Sequence, residues 1–78
     1  METTIARTVD TKGMNCPIPI LRAKKAIVEM NIGDILEILA TDAGAVKDFE
    51  AFSRATGHEL MEWTEDRGVF RFLVKKSD

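Results

Sequence analysis

The chain of 78 residues holds one cysteine, Cys16, and one histidine, His58. The cysteine lies in "GMNCPIP", Gly13 to Pro19, between a stretch able to turn and two prolines spaced two apart. A structural cysteine usually sits inside an apolar strand or helix, where it behaves as a small hydrophobe. This one sits where a helix should begin. Proline suits the first helical turn, because its missing N–H would have no partner there and its φ is already helical. With Pro17 at the first helical position, Cys16 is predicted to be the N-cap and Pro19 the third residue. The thiol then lies at the positive end of the helix dipole, which favours the thiolate. A free cysteine titrates near roughly 8.5, and thiols at helix N-termini titrate lower. Each proline removes a donor, so the predicted depression is modest. Lys12, Arg22, Lys24 and Lys25 add positive charge nearby. The chemistry expected of such a site is nucleophilic thiol exchange.

The competing reading makes Cys16 a small residue filling the top of the core. Ser, Thr, Asp and Asn are the usual N-caps, so a cysteine at that position points to function instead. A Cys–His hydrolase would need His58 to approach in space. A lone histidine at a loop-to-strand junction is more often a surface or capping residue.

The rest of the composition narrows the classes. A hydrophobic fraction of 45%, a charged fraction of 31% and a formal charge of −2 describe a folding, slightly acidic chain. One cysteine closes no internal disulfide, and one Cys with one His supplies no structural zinc site, so neither metal nor cofactor is expected. The acidity argues against direct nucleic-acid binding, which normally uses a basic face. Trp63 and Phe70 could stack on bases, but core or sheet-face positions suit them better. The start "METTIARTVD" has no basic segment leading into an apolar run, and the apolar runs are too short to span a bilayer. A free thiol in a chain without an export signal points to the cytoplasm, with no membrane partner.

The elements that position the thiol follow from periodicity. "TIARTVD" alternates weakly as a strand, with Ile5, Arg7 and Val9 on one side. From Pro17 to Met30, Ile20, Ala23, Ile27 and Met30 recur at helical steps with Ala26 beside them, and Arg22, Lys25 and Glu29 face away. "NIGD" breaks this helix at Gly33. "ILEILAT" reads as an interior strand, apolar on both faces. Asp42 is expected to cap a second helix through "AGAVKDFEAFSRAT", whose stripe uses Ala45 or Val46, Phe49, Phe52, and Ala55 or Thr56, with Gly57 as its stop. "HELMEW" and "VFRFLV" are strands joined by a turn at "TEDRG", and Phe70, Phe72 and Val74 share a face. The order is βαβαββ over a single domain, residues 1–78. The fold class is α+β: a two-layer α/β sandwich, with two helices packed on one face of a four-stranded mixed sheet. Strand order is not determined by these patterns.

Asp10, Gly13, Cys16, Pro17 and Pro19 form D-x-x-G-x-x-C-P-x-P, opening a helix that continues with Lys24 and Lys25. In motif and element order the chain resembles the TusA, or SirA-like, family of small sulfur-carrier proteins. The resemblance runs from the first strand to "RFLVKK". It implies that Cys16 carries sulfane sulfur as a persulfide, acting as a sulfurtransferase-type relay and not as a stand-alone enzyme. The implied donors are a cysteine desulfurase or rhodanese, and the implied acceptors a DsrE-like or other thiol-bearing protein. Some family members serve tRNA 2-thiolation; others serve dissimilatory sulfur oxidation, where the cargo can be thiosulfate, or molybdenum-cofactor and selenium routes. Asp10, Gly13, Pro17 and Pro19 are expected to shape the loop and the helix start. Met14, Ile18, Arg22, Lys24 and Lys25 are the candidate docking residues. The alternative is an interaction or redox-regulatory module on the same fold.

Overall fold

A computed structural model describes residues 4–77. The chain runs β1 (Ile5–Thr11), α1 (Ile18–Val28), β2 (Ile35–Ala40), α2 (Ala45–Thr56), β3 (Glu59–Asp66) and β4 (Val69–Lys75). The strands form one sheet in the order β1-β2-β4-β3. β1 and β2 pair in parallel, while β4 pairs antiparallel with both β2 and β3. This order fits both helices on one face. α1 is the crossover between two neighbouring parallel strands, and α2 carries the chain past the position of β4 to the far edge. The β3–β4 hairpin then returns the last strand to the gap beside β2. The expected two-layer sandwich is the observed one.

Alternation in the two central strands builds the floor of the core. Leu36, Ile38 and Ala40 of β2 lie opposite Val74, Phe72 and Phe70 of β4, and they point toward the helices. Above them α1 contributes Ala23, Ala26 and Ile27, with Met30 just beyond its end; α2 contributes Ala45, Phe49 and Phe52. The Phe49 and Phe72 rings stack at the centre with centroids 4.5 Å apart. The periodic stripes therefore mark the buried faces.

The opposite sheet face carries a polar bridge. The Glu37 carboxylate on β2 accepts hydrogen bonds from Thr8 Oγ1 on β1 (2.8 Å) and from Arg71 Nε on β4. Arg71 and then Thr8 hold this carboxyl below its ordinary value of 4.5, against the opposing effect of partial desolvation. The folded state thus binds the proton less tightly than the unfolded chain. Its stabilisation is complete above the ordinary value and is lost as pH falls through the lower folded-state value. We expect Glu37→Gln to cost about 1 kcal/mol at pH 7. Urea midpoints measured down the acid range should show the gap from the parent protein narrowing below pH 4.5; a constant gap would remove the charge from the account.

Three local expectations are corrected. The hairpin turn is two residues long, not the five of "TEDRG". β3 continues to Asp66, and Arg67 (φ 53°) and Gly68 (φ 83°) both take the left-handed conformation. A turn of that hand matches strand twist, and Glu65 holds it by accepting the Gly68 N–H at 2.8 Å. Asp42 is not the cap of α2; Gly44 is the N-cap, and no side chain caps the helix. Asp42 instead offers its main-chain oxygen to the Ala45 N–H at 3.0 Å, which leaves its carboxylate free to act elsewhere. His58 is 8% exposed, so it is not a surface residue. Its Nδ1 accepts the Ser77 N–H at 3.2 Å, and its ring lies against Phe52.

Candidate functional site

The loop that carries the cysteine is tied down at its β1 end. Thr11 is buried and donates through Oγ1 to the Leu39 carbonyl (2.6 Å), and its own carbonyl accepts the Met14 N–H (3.1 Å). Asp10 Oδ1 accepts the Lys12 N–H at 3.0 Å. Gly13 sits at φ 83°, a conformation that suits glycine, and donates its N–H to Thr41 Oγ1 at 2.8 Å. Asp10 and Gly13 therefore hold the path of the loop, and neither lines the groove at the thiol.

The helix begins one residue later than its prolines imply. Pro17 is the N-cap, Ile18 the first helical residue and Pro19 the second, so Cys16 precedes the cap. The Cys16–Pro17 peptide bond is cis. The Ile18 N–H is taken by the Asn15 carbonyl at 2.9 Å, and Pro19 has none to give. Among the first three helical residues that leaves the N–H of Ile20 alone. The anion-binding end of the helix is thereby largely dismantled. Pro19 is buried against the core, while Cys16 is exposed and unbridged.

The expected thiolate site is corrected accordingly. The Cys16 thiol is pushed up from its ordinary value. Hydrogen bonding with the Asp48 carboxylate is the largest cause, followed by desolvation and by the negative charges of Asp48 and Asp42. Lys12 is engaged with Asp10 at 3.7 Å. Arg22, Lys24 and Lys25 form no ion pair with another described residue, yet they do not reverse the shift.

Cys16 opens onto a shallow groove of about 380 Å³ between the two helices. Pro17, Ile20, Leu21 and Lys24 form its α1 wall; Asp48, Ala51, Phe52, Ala55 and Thr56 form its α2 wall. Each wall repeats at helical three- and four-residue steps beside the core stripe. Of the candidate docking residues, Lys24 alone lines this groove. Ile18, Arg22 and Lys25 gather with Leu21 on the adjoining outer face of α1, where Ile18 and Leu21 are 42% and 56% exposed. Met14 is half-buried in the loop. Leu21 and Asp48 escaped the sequence reading. Their signal was an apolar residue on the solvent side of α1 and a carboxylate at helical spacing from Ala51, Phe52 and Ala55. A larger cleft of about 630 Å³ lies between β1 and α1, but it is lined mostly by polar groups, including the Arg7–Glu29 ion pair, and Cys16 does not reach it. His58 lines neither, so no Cys–His pair is assembled.

Residues 7–76 match the family model described as sulfurtransferase TusA. The chain belongs to the TusA family. It is 56% identical over 69 residues to the sulfur carrier protein TusA of Allochromatium vinosum, covering 88% of this chain and 91% of that one. A putative sulfur carrier protein of Neisseria meningitidis is 54% identical over 70 residues, 90% of this chain and 95% of the other. The fold agrees with the crystal structure of a SirA-like protein from Desulfitobacterium hafniense: TM-score 0.80, 27% identity, 92% of this chain and 99% of that one covered. The TusA-family match and the sandwich topology thus coincide over nearly the whole chain, with Cys16 inside the matched segment.

Proposed function

We propose that this TusA-family chain is a single sulfur-carrier domain that takes sulfane sulfur onto Cys16 and relays it to the thiol of a partner protein. The observation that carries the reading is the exposed Cys16 at the mouth of an apolar groove, in a chain with no second cysteine. A thiol that must meet the reactive sulfur of another protein has to protrude. Without a second thiol, the loaded persulfide cannot collapse into an internal disulfide. Asp10, Gly13, Pro17 and Pro19 set the loop and helix start that present it. The donor is a cysteine desulfurase or a rhodanese, the acceptor a DsrE-like or other thiol-bearing protein, and the exchange takes place in the cytoplasm.

The test mixes the protein with a cysteine desulfurase and cysteine, and reads intact mass without reductant. A gain of one sulfur atom that dithiothreitol removes supports the carrier. Parallel samples with thiosulfate or tetrathionate identify the class of donor, and no gain from any of them overturns the proposal. Docking uses the outer face of α1, where Ile18 and Leu21 supply apolar contact and Arg22 and Lys25 meet acidic groups, with Lys24 adding positive charge from the adjoining groove wall. The double variant Arg22→Glu, Lys25→Glu is expected to load about tenfold more slowly from a protein donor at low salt. Loading from a small-molecule persulfide should be little changed; an equal loss with both donors would remove these residues from docking.

A further inference from the structure

The groove beside Cys16 has walls of opposite character. Lys24 stands on the α1 side and Asp48 on the α2 side, with Asp42 adding negative charge from the β2–α2 connection. Asp48 is half-buried among Ala51, Phe52 and Ala55, and it forms no ion pair with another described residue. A carboxylate in the wall of an apolar groove, beside a thiol, does the reverse of what a nucleophile needs. It stabilises the S–H form and opposes the anion.

We propose that Asp48 restrains the Cys16 thiol as a nucleophile until a basic group of the sulfur donor enters the α1–α2 groove and pairs with it. The inference rests on the sulfur-carrier reading for the donor step, and on the groove alone for the restraint. In the free protein the empty thiol reacts slowly with small electrophiles. When a cationic side chain pairs with Asp48 and offsets its charge, the Cys16 S–H bond breaks and the proton leaves to water. The thiolate sulfur bonds to the outer sulfur of the donor persulfide. The donor's S–S bond breaks, and its inner sulfur departs as a thiolate that takes a proton from water. One sulfane sulfur has moved, with no net oxidation or reduction. Selectivity then comes from the donor supplying the charge the carrier lacks. Asp48 acts through Cys16 and is a positioning residue in this scheme, not a catalytic one.

Iodoacetamide, which is neutral, reads the restraint directly. Its rate of reaction with Cys16 is followed against pH for the parent protein, Asp48→Asn and Asp48→Glu. Asp48→Asn is expected to shift the midpoint to lower pH, with faster alkylation at pH 7 and a slightly lower plateau, since nucleophilicity falls with basicity. Asp48→Glu should keep the midpoint near that of the parent. Coincident profiles for all three proteins would overturn the restraint, and so would a change confined to the plateau, the sign of altered access alone. Loading is then compared between a small-molecule persulfide and the desulfurase. Asp48→Asn should gain more with the small donor than with the protein donor, and equal gains would overturn the donor-supplied charge. A shifted alkylation midpoint without sulfur loading from any donor would leave the restraint standing and reject the carrier reading instead.

Discussion

Cys16→Ser is expected to abolish sulfur loading completely while leaving the fold intact. Serine keeps the size and loses the sulfur, so no persulfide can form and no mass gain should appear with any donor. The change also tests the rival assignment of Cys16 as a packing residue. The side chain is exposed and outside the core cluster, and a serine hydroxyl can keep the hydrogen bonding with Asp48. An exposed substitution of this kind shifts stability by about 0.5 kcal/mol or less, which in so small a domain corresponds to a few degrees in Tm at most. Loss of loading with an unchanged melting curve is therefore the expected pair of results. A melting point lowered by about ten degrees or more would return Cys16 to the core. Retained loading would place the sulfur elsewhere, and the chain offers no other thiol.

The same substitution separates a carrier from an interaction or redox-regulatory module. A module that recognises partners through its helices should hold them with equal affinity after Cys16→Ser, because Ile18, Leu21 and Arg22 are untouched. A carrier also docks, but the docked complex of the variant cannot pass sulfur. Partner affinity measured beside sulfur transfer thus gives different patterns: for a module, affinity retained with no transfer by parent or variant; for a carrier, docking retained and the parent's transfer lost.

The framework was legible in the sequence because its signals are periodic and redundant. Ala23, Ala26 and Ile27 on the first helix, and Phe49 and Phe52 on the second, repeat at the helical step, and Leu36, Ile38 and Ala40 at the step of a strand. A hydrophobic stripe must be covered, so it marks its own buried face. Cys16 stood out because turn and helix-start residues surround it. Its electrostatics did not, for a physical reason: the groups that set them are brought in by tertiary structure. Asp48 lies on α2, beyond both α1 and β2, and reaches the thiol only because α1 and α2 pack side by side. Local reasoning counted the nearby cations and the helix dipole. The fold instead tied Lys12 to Asp10, used the Ile18 N–H within the Asn15 turn and turned a carboxylate toward the sulfur. Strand order was hidden in a similar way, since strand patterns record which face is buried and not which strand is next.

Phe49→Ala carries the largest expected effect on stability. Phe49 is fully buried on α2, stacked on Phe72 of β4 and set edge-on to Phe52 at 6.1 Å between centroids. Removing the ring costs its transfer free energy and leaves a cavity at the one place where both helices and the central strands converge, together about 3–5 kcal/mol. A domain of this size has about 4–12 kcal/mol in total, so the variant should be marginal or unfolded at 25 °C. Phe49→Leu fills much of the same space and should cost about 1–2 kcal/mol, keeping a cooperative urea transition with the parent slope and a lower midpoint. If both variants melt like the parent, the packing described for the core is wrong. The pair also bears on function, because α2 supplies one wall of the groove at Cys16. Phe49→Leu should still accept sulfur at close to the parent rate, since neither Asp48 nor the loop of Cys16 loses a partner. Phe49→Ala should lose loading in proportion to its unfolded fraction, and lowering the temperature or adding a stabilising osmolyte should restore both together.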